Sequence, residues 1–234
     1  MARVLIGTSG YSYKDWVGPL YPEGTDPGDY LGFYSKLFPT VELNFSYYRM
    51  PNAGQLAELM KKAGPKLLFS IKANEALTHS IEVASWRSAA KTFMDALEPL
   101  RTDNRLAGVL LQFPYSFHYE VDRRRYLNDL LGALAGLPLA VEFRCSDWYN
   151  NRVIDAFRER RIALSSMDMP ALKGLPPLMD VVTSPSPMSA STDAMKKAGG
   201  ARILPRATIT CILISSWKPG QTGLRVLPAR RSSF

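Results

Sequence analysis

A chain of 234 residues, 46% of them hydrophobic, can bury one sizeable core, and no apolar run approaches the roughly 20 residues that span a bilayer, so no membrane segment is expected. Two cysteines, Cys145 and Cys211, exclude a disulfide framework and point to a reducing cytoplasm; the N-terminus shows no basic-then-apolar signal peptide. The net charge of +8 invites nucleic acid, but residues 185–234 carry eight basic residues and one acid, leaving 21 basic and 20 acidic in the remainder. The body is near neutral, and a phosphate-backbone partner is not expected of it.

Val4-Leu5-Ile6 reads as a buried strand over Arg3 to Thr8, broken by Gly7-Thr8-Ser9-Gly10. Asp29 to Leu37 follows as a helix, with Tyr30, Phe33, Tyr34 and Leu37 on one face and Asp29 as its cap. Strands are predicted over Thr40–Asn44, Leu67–Lys72, Leu106–Gln112, Leu139–Arg144 and Ala163–Asp168. Helices are predicted between them, over Ala53–Ala63, Val83–Leu100, Arg123–Leu134 and Arg152–Arg160. Strands alternating with helices mean βαβ units around a parallel sheet. Six strands within about 170 residues, without a break in composition, favour an α/β, TIM-like (β/α) barrel over a doubly wound sheet. No Gly-x-Gly-x-x-Gly or P-loop follows any strand.

After Pro170 the pattern fails. Pro176, Pro177, Pro185 and Pro187 come close together, and from Ser186 onward no clean period remains. The barrel is therefore expected to be incomplete, six strands of eight, over residues 1–183, with an irregular or disordered basic tail over 184–234.

Side chains alternate along a strand, so Thr40, Glu42 and Asn44 share one face, as do Ala140, Glu142 and Arg144. Lys72, Gln112 and Asp168 stand at the tips of their strands. If these faces turn inward, the residues converge at the C-terminal mouth of the barrel, where barrel enzymes place their chemistry. Glu42, Lys72, Glu142 and Asp168 are the catalytic candidates, because buried carboxylates beside a cation suit acid/base work. Thr8, Ser9, Tyr11, Trp16, Asn44, Arg49, His79, Gln112, Arg144 and Trp148 are the candidate substrate-binding residues. Among them Arg49 would clamp an anion, and Tyr11, Trp16 and Trp148, with Tyr47, would floor a ring-shaped ligand. The same charges also suit a buried ion-pair network that holds barrel layers in register. Two histidines, His79 and His118, lack metal-ligand spacing and no metal ligand is assigned, although the carboxylates leave Mg²⁺ or Mn²⁺ open; Cys145 reads as a small buried filler. No cofactor is identified.

The motifs I-G-T-S-G-Y-S-Y-K-D-W from Ile6, F-P-T-V-E-L-N-F-S-Y-Y-R-M-P from Phe38 and F-S-I-K-A-N from Phe69 with Thr78-His79 come first. L-L-Q-F-P from Leu110, A-V-E-F-R from Ala140 with Trp148, and M-D-M-P from Met167 follow in order. Together they resemble the YecE-like family, domain of unknown function 72, over residues 1 to about 183. The resemblance implies a TIM-barrel-like fold and carries no assigned activity. It also implies a later strand of the type Y-V-R-L-H-G-R-N, which this chain lacks. Pro187 to Ala194, however, can be encoded by CCT ATG TCC GCC TCC ACG GAC GCA followed by AT. Read two bases later, the same bases give Y-V-R-L-H-G-R-N, so a single-base deletion near Ser186 is expected to have put the tail out of frame.

The resulting expectation is a barrel enzyme using carboxylate acid/base chemistry on a small polar substrate, sugar-like or phosphorylated, in a copy that is truncated and inactive. The alternative is a non-catalytic small-molecule or nucleic-acid-binding protein.

Overall fold

The structure, a computed structural model, describes residues 3–168, 172, 174–177, 181–184, 188–191 and 209–214. Strands β1 (Arg3–Ser9), β2 (Thr40–Leu43), β3 (Leu68–Lys72), β4 (Leu106–Phe113), β5 (Leu139–Phe143) and β6 (Ala163–Leu164) lie side by side in chain order. Every neighbouring pair among them is parallel. Around them lie helices α1 (Tyr30–Leu37), α2 (Phe45–Tyr48), α3 (Ala53–Lys62), α4 (Trp86–Ala96), α5 (Glu98–Thr102), α6 (Val121–Ala133) and α7 (Asn151–Arg160). The molecule is thus an incomplete (β/α) barrel. None of the described helices is long and apolar enough to cross a membrane.

β2 and β5 are buried along their whole length, so Thr40 and Glu42 on β2 and Glu142 on β5 are polar residues held inside the fold. Their outward faces meet the helices in the main core, built around Trp16, Tyr34, Phe69, Phe93, Phe113, Phe143 and Trp148. A second, smaller cluster, contributed by β1, β4, β5 and β6, holds Leu5, Ala107, Leu110, Ala140 and Ala163, with Leu68 of β3 against it. Small side chains there fill the narrow interior of a barrel.

One predicted helix and one predicted cap come out differently, and one short helix was not predicted. The helix expected over Val83–Leu100 is two helices, α4 and α5, interrupted at Leu97. Pro99 sits in the first turn of α5 and has no N–H to continue the ladder of α4. Asp29 does not cap α1 through its side chain, whereas Asn52 and Asn150 cap α3 and α7 by accepting from Gln55 N and Val153 N. The four-residue α2 follows β2 immediately and has too few residues to show a period.

The sixth strand was predicted as one piece, Ala163–Asp168. It divides at Ser165 into β6, which pairs with β5, and β7 (Ser166–Asp168), which pairs in parallel with β8 (Met188–Ser191). β9 (Ile209–Ile214) runs antiparallel to both β8 and β1. The absence of strands expected beyond Ser186 is corrected at these two segments. Ile209-Thr210-Cys211-Ile212-Leu213-Ile214 is rich in β-branched residues, which favour a strand, and it occupies the open edge of β1. Its antiparallel direction is not that of a (β/α) barrel strand. Most of the tail lies outside the described residues.

Candidate active site

The inward faces build the site in layers. Gly7, Thr40 and Leu68 stand in register on three successive strands, followed by Ser9, Glu42, Ser70 and Gly108 one layer further toward the strand tips. Gln112 and Glu142 pair across β4 and β5. The close approach of β1 to β2 requires a glycine, because a Cβ on Gly7 would fall 2.1 Å from the Thr40 carbonyl oxygen.

Both carboxylates are withdrawn from water, Glu42 at 6% exposure and Glu142 at 1%, and their surroundings differ. Ser9 Oγ donates to Glu42 Oε1 at 2.8 Å, and Asn44 Nδ2 donates to the same Ser9 hydroxyl. The Tyr13 hydroxyl donates to the Ser9 carbonyl. Burial pushes the Glu42 carboxyl above the usual range; the Ser9 hydrogen bond opposes this, Glu142 adds to it and Lys72 reduces it. Glu142 Oε1 instead accepts from Arg144 Nε at 3.0 Å and from Gln112 Nε2 at 2.7 Å.

Lys72 links the two halves. Its Nζ donates to Gln112 Oε1 at 2.7 Å and lies 4.6 Å from the centre of the Tyr47 ring. Desolvation holds its ammonium below the ordinary lysine value, partly offset by Glu42 and Glu142. His79 stands edge-on to the same Tyr47 ring at 5.0 Å, and Thr78 Oγ1 lies 2.9 Å from its Nδ1. Burial, and next Lys72, push its imidazole below the usual range.

Glu42, Lys72, Glu142, Ser9, Asn44, Gln112, Arg144 and His79 therefore come together in one mouth. The remaining candidates are placed one by one. Thr8 faces the helices, its hydroxyl donating to the Gly10 carbonyl and its backbone N–H to Tyr34 Oη. Trp16 is fully buried among Tyr13, Tyr21 and Tyr34. Trp148 is a core residue, stacked 4.4 Å from Phe143 and donating from Nε1 to the Phe117 carbonyl. Neither indole can floor a ligand. Tyr11 packs against the core near Tyr34, and Arg49 is exposed at the end of α2. The backbone of Asp168 ends β7, and its side chain lies outside the described residues.

Three residues join the site that the sequence reading did not single out. Ser70 lies between Glu42 and Gly108 in register, and the same period of two that picked Glu42 would have found it. Tyr149 stands near Glu142, its hydroxyl donating to the Phe143 carbonyl, and no sequence signal marks it. Ser165, at the division of the sixth strand, is 1% exposed, and its Oγ has no hydrogen-bond partner among the described residues. It alternates with inward-facing Ala163, so its hydroxyl stands on the interior side.

Comparison with known proteins agrees with this architecture. A DUF72 family protein of Thermotoga maritima superposes with a TM-score of 0.68 and 33% identity, over 76% of this chain and 70% of that one. A DUF72 family protein of Enterococcus faecalis shares the fold, with a TM-score of 0.61 and 24% identity over 66% of this chain and 65% of that one. The UPF0759 protein YunF of Bacillus subtilis is 30% identical over 151 residues, 63% of this chain. The match spans 52% of the length of YunF, about half. The model of the family described as "protein of unknown function DUF72" matches residues 5–191, and the chain belongs to that family.

Proposed function

We propose that the barrel mouth binds a small polar molecule, sugar-like or phosphorylated, and transfers a proton to or from it. Glu42 and Glu142 act as the acid/base pair, Lys72 is the charge partner between them, and Asp168 is a further carboxylate at the end of the sixth strand. The observation that supports this reading is the inequality of the two buried carboxylates. Glu42 meets a hydroxyl and is pushed toward its protonated form, while Glu142 meets a guanidinium. Carboxylates in unequal surroundings divide the roles of acid and base. Arg144 and Lys72 supply the cationic side for an anionic group, and Ser9, Asn44, Gln112 and His79 supply neutral hydrogen-bonding groups. The two thiols fit a reducing cytoplasm.

We further propose that the activity belongs to relatives with an unbroken frame and that this copy, its tail out of frame, is inactive. The test is ligand-observed NMR with a panel of sugars and sugar phosphates, on this chain and on one whose frame is restored. The restored chain is expected to bind at least one sugar phosphate, to lose that binding in Arg144→Ala, and to keep binding but lose turnover in Glu42→Gln. Binding without turnover in the restored chain itself would replace the enzyme reading with a binding one. No binding by either chain would overturn both.

A further inference from the structure

His118 precedes Cys145 by 27 residues and Asp147 by 29, yet in the fold each of the three offers a donor atom within 4.8 Å of the other two. His118 Nδ1 is 3.2 Å from Cys145 Sγ and 3.1 Å from Asp147 Oδ2. The loop after β4 supplies the histidine, and the turn after β5 supplies the other two. Cys145 follows Arg144, so strand alternation turns its side chain away from the barrel interior and into the outer layer, where it is buried. The cluster is therefore separate from the Glu42 and Glu142 mouth.

A nucleophilic cysteine relay requires the imidazole to use both nitrogens, one on the thiol and the other on the carboxylate. Here one nitrogen, Nδ1, faces both partners. The three donor atoms cluster within 4.8 Å of one another around that nitrogen instead of forming a chain. Ligand bonds of about 2.0–2.3 Å in tetrahedral geometry place donor atoms roughly 3.2–3.7 Å apart, close to the spacing of the histidine to both partners.

The two loops are also fixed in place. Tyr119 N donates to Asp147 Oδ2 at 3.1 Å, Trp148 Nε1 donates to the Phe117 carbonyl at 2.6 Å, and Ser146 N donates to the Gly174 carbonyl at 3.0 Å. The Tyr115 ring stands edge-on to His118 at 5.5 Å. Desolvation raises the Asp147 carboxyl, but hydrogen bonds from Tyr119 N–H, Cys145 and His118 together hold it below the usual carboxylate range. The Asp147 and His118 side chains remain 38% and 43% exposed, so a fourth ligand can enter from solvent.

We propose that His118, Cys145 and Asp147 form a divalent-metal site selective for Zn²⁺, with the fourth position left to water, clasping the loops after β4 and β5. One thiolate, one imidazole and one carboxylate suit zinc better than the oxygen-preferring Mg²⁺ or Ca²⁺. Uptake displaces the thiol proton to solvent, so each bound ion releases about one proton and affinity rises with pH.

The test is titration of the reduced full chain with Co²⁺ as a spectroscopic stand-in, then competition by Zn²⁺. One equivalent of Co²⁺ is expected to give a thiolate-to-cobalt charge-transfer band that Zn²⁺ abolishes and Mg²⁺ does not. The band should vanish in Cys145→Ser and persist in Cys211→Ser. His118→Ala and Asp147→Asn alter half-exposed side chains and so should leave the fold intact, and each should weaken Zn²⁺ binding about 100-fold. The proposal is overturned by the absence of a band in the parent chain, by its survival in Cys145→Ser, or by unchanged Zn²⁺ affinity in both of the other variants.

Discussion

Glu42 carries a pH signature. Its folded-state value is raised, so its contribution is most favourable below the ordinary carboxylate value of 4.5 and is lost as pH rises through the raised one. Glu42→Gln removes that ionisation. The melting temperature of the variant relative to the parent is expected to be similar or lower near pH 4 and higher by a few degrees at pH 7. A difference that stays constant with pH would show that Glu42 is not held protonated by its surroundings. Glu142 is tested through its ion pair with Arg144. Arg144→Ala leaves a carboxylate that is 1% exposed without its guanidinium and is expected to cost about 3 kcal/mol by chemical denaturation. Adding Glu142→Gln to that variant should recover part of the loss, and full additivity of the two changes would mean that the pair does not interact. Glu42, Glu142 and Lys72 were legible because strand alternation is a strict period of two. Trp16 and Trp148 were misplaced because an aromatic residue beside a strand tip carries no mark that separates a wall of the mouth from a plug of the core.

Among the elements, the α3 to β4 connection shows what periodicity omits. α3 ends near Lys62 with carbonyls that need donors, and Arg105 provides them. Its Nη1 donates to the Met60 carbonyl at 3.1 Å, its Nη2 to Gly64 at 2.9 Å and its Nε to Leu67 at 3.0 Å, with the guanidinium over Phe69. Arg105 is 6% exposed, and nothing in a lone arginine before a strand announces this role. An ammonium cannot serve three carbonyls in a fork, so Arg105→Lys is expected to cost about 2 kcal/mol and to raise amide exchange at the end of α3. A stability within a few tenths of the parent would count against a capping role for Arg105. The strands themselves were legible because two-sided burial writes short, mainly apolar runs between the helices. The break at Leu97 and the division at Ser165 were not, since each depends on what lies alongside in space.

At the level of the whole molecule, the first six strands and their order followed from alternation alone, whereas β8 and β9 lie where no period exists. Ile6 on β1 is 49% exposed, an unusual position for an isoleucine in a barrel strand facing the helical layer. A lost strand and helix after residue 186 would leave that face uncovered. The proposed frame change makes this testable at the coding level. Sequencing the gene is expected to show that one inserted base near codon 186 restores the Y-V-R-L-H-G-R-N reading, and the restored chain should melt higher by several degrees. A coding sequence that cannot yield that reading with any single insertion refutes the frame change.

The pairing of β1 with β9 has a consequence for how the protein is made. Arg3 is matched to Ile214 and Thr8 to Ile209, so the first strand to leave the ribosome waits for the last described one before its outer edge is satisfied. At synthesis rates of about 5–20 residues per second, that edge stays available for on the order of ten seconds or more. During this interval another nascent chain can pair with it as readily as the chain's own end. Partition between soluble barrel and inclusion body is therefore set during translation, and slower elongation or abundant chaperone should change the yield more than any stabilising change in the core.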